Sequence, residues 1–322
     1  MDQADDIAAR PGRRILIPTD KNDTAIRAEN RMLRITHLNK VFWDDLKITK
    51  RDLLQYYADI AQVLLPHLRD RAMVMKRYPD GIAGDFFYMK RTPRPRPEWV
   101  ETCAIRHASG NVIDFPKVQG LPSLLWMINL GCIDLNPWYS RCADTNRPDY
   151  LHFDLDPVEG DPAVPFKRVR EAALRIKAAL DALGMPSFPK SSGSRGIHVY
   201  VPIVRGPTQK QVWRFAKAFS QKMAARHPDL ITAEYRIAKR PPGRVLADYN
   251  QNAWGRTLAS AYSVRPRPAA PVAVPLTWQE VAEGFEIADH TIDNVPSRVA
   301  RHGDLWQPLL EAHGRVRLET YL

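Results

Sequence analysis

Tyr150-Leu151-His152-Phe153-Asp154-Leu155-Asp156-Pro157 is the stretch whose reading decides the fold. Its period-two alternation is that of a β-strand, with Leu151, Phe153 and Leu155 on one face and Asp154 and Asp156 on the other. Two carboxylates side by side repel and raise each other's pKa unless a cation lies between them. An Asp-x-Asp at a strand end therefore points to a divalent metal with hard oxygen ligands, Mg²⁺ or Mn²⁺. A solvated strand end carrying two acids has the same local pattern, so the surrounding sequence has to separate the two.

Outward from this strand the periodicity alternates. Residues 165–183 read as a helix with Val169, Ala173, Ile176 and Leu180 inward and Gly184 as its C-cap. Ile197-His198-Val199-Tyr200-Val201 alternates as a second strand, Thr208 opens a helix carrying Val212, Phe215, Phe219 and Met223, and residues 245–249 form a third strand. The order is β-α-β-α-β around the acids, which places the chain in the α/β class. Toward the N-terminus, Thr49 caps a predicted helix whose stripe is Leu53, Leu54, Tyr57, Ile60, Ala61, Leu64 and Leu65, ended by Pro66. Short strands are predicted at residues 72–75 and 86–89, an exposed basic loop at the proline-rich residues 91–97, and a second apolar helix at residues 121–130. Residues 1–30 are polar and unpatterned apart from Ile15-Leu16-Ile17 and are predicted to be a flexible tail.

With 322 residues, 44% of them hydrophobic, the chain can bury a large core and is not a disordered sequence. Its 47 basic against 36 acidic side chains leave a charge of +11, suited to a polyanion such as nucleic acid. Cys103, Cys132 and Cys142 form no C-x-x-C pair and suit a reducing compartment better than a disulfide framework. No run approaches a membrane span, and Met1-Asp2-Gln3-Ala4-Asp5-Asp6 lacks the features of a signal peptide, so the expected location is cytoplasmic, without membrane association.

Three features converge on chemistry: Asp154 with Asp156, the Gly-rich Ser191-Ser192-Gly193-Ser194-Arg195-Gly196-Ile197-His198, and Asp248 in Arg244-Val245-Leu246-Ala247-Asp248-Tyr249. Three carboxylates, a loop rich in N–H and hydroxyl donors, and nearby arginines are the parts of a two-metal phosphoryl-transfer site. Arg265 and Arg267, spaced by prolines in Val264-Arg265-Pro266-Arg267-Pro268, are stiffly presented donors for a triphosphate. The residues alone leave open a haloacid-dehalogenase-like phosphatase, with the two acids of Phe153-Asp154-Leu155-Asp156 as nucleophile and acid, and a catalytically silent DNA-end-binding module.

These stretches, together with Lys40-Val41-Phe42, Ile48-Thr49-Lys50-Arg51-Asp52-Leu53, Lys76-Arg77-Tyr78-Pro79-Asp80-Gly81 and Phe86-Phe87, resemble in order the polymerase module of bacterial ligase D and its stand-alone actinobacterial relatives in the archaeo-eukaryotic primase superfamily. The resemblance runs from about residue 36 to residue 278. It implies an α/β (α+β) primase-polymerase core with an RRM-like, mainly antiparallel catalytic sheet and a smaller N-terminal α/β lobe. The expected division is a single domain over residues 31–322, with the lobe at 31–148, the catalytic core at 149–275 and a C-terminal helical segment at 276–322. By the same resemblance Asp154, Asp156 and Asp248 are the catalytic, metal-binding acids for two Mn²⁺ or Mg²⁺ ions. Ser192, His198, Arg244, Arg265 and Lys76 contact the incoming NTP or dNTP. Lys40 and Lys50 hold a 5′-phosphate, Phe86 and Phe87 stack on a template base, and Arg267 also meets DNA.

The implied activity is template-directed gap filling or end extension in DNA repair, with ribonucleotides favoured and gapped or broken double-stranded DNA as partner. Asn136 stands where ligase-D-type modules carry a histidine. That difference, with no ligase or nuclease segment attached, implies a free-standing protein working beside a separate ATP-dependent ligase and Ku, near the nucleoid.

Overall fold

The computed structural model describes residues 16–159 and 163–322, so the expected tail lies outside it up to residue 15. Two compact units make up the fold. The first comprises residues up to Pro137 with Tyr262–Pro271 and Thr291–Gly303; the second comprises Trp138–Ala261, Val272–His290 and Asp304–Leu322. This differs from the expected linear division at residues 148 and 275, because the chain returns to the first unit twice.

In the first unit β1 (Thr24–Ala28) pairs antiparallel with β2 (Arg31–Ile35), burying Ile26, Ala28, Leu33 and Ile35. The later part of the supposed tail is thus a strand, with its short alternation masked by intervening charges. β3 (Val41–Trp43) and β4 (Ile48–Thr49) lead into α1 (Lys50–Asp59), where Thr49 Oγ1 accepts from Asp52 N and the Asp52 carboxylate accepts from Thr49 N at 2.7 Å. The single helix expected here is two. Ile60, at φ −96° and ψ 4°, leaves the helical region, and α2 (Ala61–Leu68) starts after it with Pro66 inside. β5 (Met73–Arg77) and β6 (Phe87–Met89) follow, then the basic loop, which has no regular structure. The hairpin of β7 (Thr102–Arg106) and β8 (Val112–Pro116) was not legible in the sequence; α3 (Leu121–Asn129) was. β9 (Cys132–Pro137) completes a three-stranded sheet in the order β6-β5-β9.

The return segment is stitched into this unit by backbone groups. Tyr56 Oη donates to Tyr262 O, Tyr57 Oη accepts from Val264 N, and Trp43 Nε1 donates to Arg267 O, at 2.9, 3.0 and 2.8 Å. Arg265 and Arg267 therefore sit on a fixed segment and not on a solvated linker.

The second unit opens with the hairpin of β10 (Ser140–Arg141) and β11 (Asp144–Pro148), followed by β12 (Tyr150–Pro157) and α4 (Phe166–Asp181). β13 (Phe188–Ser191), β14 (Ile197–Pro202), α5 (Gln209–Arg226), β15 (Ile231–Thr232) and β16 (Val245–Asp248) complete its core. The five-stranded sheet has the order β13-β14-β12-β16-β15, antiparallel throughout except for the β15–β16 pair. α4 ends on Gly184, whose φ of +68° lets Met185 N reach back to Leu180 O at 2.9 Å. Phe153 meets Phe219 of α5 with ring centroids 4.7 Å apart, so the apolar face of β12 is the core face and the acids occupy the other.

Cys103 and Cys142 are each in the disulfide state, against the expectation of a reducing compartment; Cys132 is free and buried. Among the described residues no helix is long and apolar enough to cross a membrane.

Candidate active site

Register, more than sequence spacing, assembles the acids of the second unit. On central β12, Asp154 lies directly opposite His198 of β14 and Asp248 of β16, and His198 lies opposite Lys190 of β13. Directly opposed residues on antiparallel strands share a face. One row across the sheet therefore reads Lys190, His198, Asp154, Asp248, with Asp156 on the same face two residues along. Asp154 and His198 are buried, with Asp154 Oδ1 3.1 Å from His198 Nε2. Asp248 caps the turn that follows it, accepting from Asn250 N at 2.9 Å and Gln251 Nε2 at 3.1 Å. Tyr139 is fully buried near these acids; burial first, then Tyr200, Asp154 and Asp248, raise its pKa well above the ordinary value. His152, two residues before Asp154 on the same face of β12 and flanked by Tyr139 and Tyr200, is held neutral by burial, with a pKa of about 3.

The Gly-rich loop folds against Asp156. Ser192 Oγ accepts from Gly196 N at 2.9 Å and Ser194 N at 3.2 Å, and Ser191 Oγ accepts from Gly193 N, whose φ is +63°. A Cβ at Gly196 would lie 2.4 Å from Leu155 O and 2.5 Å from Asp156 Oδ1, so only glycine allows the loop to approach the carboxylate this closely. Arg195 pairs with Glu159 at 2.7 Å, and Glu159, Asp156 and Asp154 all raise its pKa. Sequence reading quoted Arg195 but gave it no role; its position two residues after Gly193 in this loop was the available signal.

The donor set, three carboxylates on two adjacent strands with a glycine cradle beside Asp156, suits a hard divalent cation. As the side chains stand, no three His, Cys, Asp or Glu among the described residues converge to hold a metal ion.

In the first unit Lys40, Lys50, His37 and Arg77 line a cavity of about 330 Å³. Lys50 N donates to Lys40 O at 2.8 Å, bringing the two residues together where β4 runs into α1. Lys50 is buried and donates from Nζ to Thr36 O at 2.6 Å. Burial lowers its pKa to about 8, Asp23 opposes the shift, and Lys40 and Arg77 add to it. Lys40 is more exposed and pairs with Asp80. Arg77 and His37 were missed by sequence reasoning, since neither lies in the β4–α1 stretch that suggested the pocket.

The same unit carries a cation and aromatic cluster. Asp134 on β9 forms an ion pair with Arg265, Oδ1 to Nε 2.7 Å, and lies 3.8 Å from Lys76 Nζ, which sits 4.1 Å from the centroid of Phe86. Burial lowers the Lys76 pKa, against the pull of Asp134. Phe86 and Phe87 are 50% and 42% exposed, which rules out plain core packing for both. Arg77 lies over the Phe87 ring at 5.1 Å.

A family model described as LigD, primase-polymerase domain, matches residues 49–306. The chain belongs to the LigD primase-polymerase family. The multifunctional non-homologous end joining protein LigD of Mycolicibacterium smegmatis is 32% identical over 292 residues, covering 90% of this chain and 38% of that protein. The LigD of Pseudomonas aeruginosa is 33% identical over 257 residues, covering 80% of this chain and 30% of its own. The chain thus spans well under half the length of these relatives. The polymerase domain of Mycobacterium tuberculosis ligase D, solved in complex with DNA, superposes with a TM-score of 0.81 at 29% identity, covering 86% of this chain and 98% of that one. The mixed α/β fold expected for a LigD primase-polymerase domain is thereby confirmed, and with it the enzyme class, a nucleotidyltransferase.

Within this LigD-type fold two expected positions differ from the rest. Arg244 immediately precedes β16, two residues before Leu246, the register partner of Asp156, and it donates to Pro228 O at 2.7 Å and faces Asp229. Asn136 is on β9 opposite Val74, its amide turned to Asp134 O at 3.2 Å.

Proposed function

We propose that this chain is a template-directed DNA/RNA polymerase that fills short gaps or extends ends during DNA repair. The observation that carries this reading is the register of the second sheet, in which Asp154 and Asp248 face each other and Asp156 shares their side. Those three acids would hold Mn²⁺ or Mg²⁺; when bound, such ions supply activation of a 3′-hydroxyl and charge neutralisation at the departing pyrophosphate.

The chain's own groups prepare the rest. The buried His198 stands against one oxygen of Asp154, and Ser191 Oγ and Ser192 Oγ hold the N–H groups of Gly193, Ser194 and Gly196, which fixes the shape of the loop beside Asp156. Ser192 and His198 are assigned to the triphosphate of an incoming NTP or dNTP, as are Arg265 and Lys76, whose approach Asp134 sets. Half-exposed Phe86 and Phe87 offer π-faces on which a template base of any identity can stack. The cavity around Lys40 and Lys50 is assigned to the 5′-phosphate that ends a gap. Ribonucleotide preference, a separate ATP-dependent ligase with Ku as partners, and a cytoplasmic, nucleoid-associated location remain the family analogy's contribution to this proposal.

Extension of a primer on a gapped duplex with Mn²⁺ present tests the reading, run with ribo- and deoxyribonucleotides and with either 5′-phosphate or 5′-hydroxyl downstream ends. Template-dependent incorporation that disappears in Asp154→Ala is expected. Absence of incorporation by the wild-type chain under all of these conditions would overturn the proposal.

A further inference from the structure

The basic, proline-rich stretch of residues 91–97 has no place in the site above, yet it borders a second cavity of the first unit, of about 720 Å³. Lys90, Arg91, Arg94 and Arg96 line this cavity against the carboxylate of Asp114. Its near end is Tyr88, which continues β6 from Phe87, is 61% exposed and stands edge-on to Phe86 at 6.0 Å. The groove therefore begins where the aromatic platform ends.

The loop is held in place. Thr92 donates from both its backbone N and its Oγ1 to Asp114 O at 2.8 Å, and Arg91 reaches Val112 O at 3.1 Å. Arg96 donates to Val100 O at 2.5 Å. Pro93, Pro95 and Pro97 remove donors and restrict φ through the same stretch. Arg91 and Arg94 nonetheless stay exposed, so their charges are presented to solvent from an anchored loop.

We propose that this groove binds the backbone of single-stranded nucleic acid that runs on from the base stacked at Phe86 and Phe87, the template overhang beyond the nucleotide being copied. A cationic channel continuous with exposed aromatic rings is the arrangement by which proteins hold single strands, the rings taking base faces and the cations taking phosphates. Duplex has no free base faces to offer Tyr88. The inference rests on the polymerase reading, because it names a strand that only a template-directed enzyme would meet.

The test measures binding by fluorescence anisotropy to labelled primer-templates whose 5′ template overhang is one nucleotide or about eight, within the span of a single-strand site. Wild-type affinity should rise with the longer overhang. Arg91→Ala with Arg94→Ala should remove a gain of about tenfold and reduce the slope of log affinity against log salt by about 1.4, the figure for two single-strand phosphates. Extension on the one-nucleotide overhang and the melting temperature should stay unchanged, and Arg91→Lys with Arg94→Lys should keep most of the gain, since a phosphate accepts a point charge. If the wild-type chain extends primers but gains nothing from the overhang, or the alanine variant keeps the gain, the groove assignment is overturned while the polymerase reading stands. An equal gain from a double-stranded extension of the same length also overturns it. Failure of the wild-type chain to extend any primer is instead the failure of the polymerase reading.

Discussion

Lys50 gives a sharp test of the phosphate pocket, because its charge should titrate inside the working range of a binding assay. Burial first, with Lys40 and Arg77 adding to it and Asp23 opposing, lowers its pKa to about 8. A terminal phosphate becomes a dianion above about pH 6. The dianion and the ammonium therefore coexist between about 6 and 8. The affinity advantage of a 5′-phosphate over a 5′-hydroxyl gap should peak there. Above 8 the free protein has lost the Lys50 proton that the phosphate complex retains, so binding takes up a proton and the advantage should fall by up to about tenfold per pH unit. Anisotropy titrations of gapped duplexes with either end, from pH 6 to 9.5 at one low salt concentration, would record this.

Lys50→Arg should flatten the high-pH limb, since guanidinium stays protonated throughout. Lys50→Met should lose the advantage at every pH. His37 and Lys40 also line the cavity and Asp80 pairs with Lys40, so a His37→Gln control assigns the limb to Lys50 if it leaves the limb in place. A wild-type advantage that is flat between pH 7 and 9.5, or absent throughout, would refute the reasoning.

Asp154→Ala and Asp248→Ala should each abolish primer extension while sparing DNA binding, which backbone phosphate contacts carry; activity within tenfold of wild type would remove these residues from the metal site. Phe86→Ala with Phe87→Ala should weaken template binding by about 1–3 kcal/mol per stacked base, and unchanged affinity for single-stranded template would return both rings to a packing role. Gly196→Ala must displace Leu155 O or the Asp156 carboxylate, with contacts of 2.4 and 2.5 Å, and should cut the extension rate by about tenfold or more while the chain still folds; wild-type kinetics would show that the loop is free to move. Arg265→Ala should raise the nucleotide KM, whereas Arg244→Ala should not, because its guanidinium is committed to Pro228 and Asp229; the reverse order would restore Arg244 as a nucleotide contact.

Local pattern alone determined the elements around the acids. Alternation identified β12 and β14, helical spacing identified α4 and α5, Thr49 and Thr208 announced helix starts, and Gly184 announced a helix end. Each of these signals is carried by side chains within a few residues of one another, which is why they were legible. The pairing of Asp154 with Asp248 was legible only through resemblance, since 94 residues separate them and nothing local states a register.

Tertiary structure decided the remainder. The division into helices at Ile60 is a backbone choice that a continuous apolar stripe does not reveal, and the hairpin of β7 and β8 is too polar on its exposed side to stand out. That the chain returns at residues 262–271 to the first unit depends on hydrogen bonds from Tyr56, Tyr57 and Trp43, made across about two hundred residues by groups whose partners are backbone atoms and so leave no sequence mark. Arg77 joins the lysine cavity, and Asp134 gathers Lys76 and Arg265, by the same long-range packing. Arg244, four residues before Asp248, turns its guanidinium to Pro228 O and Asp229, partners that the local sequence does not announce.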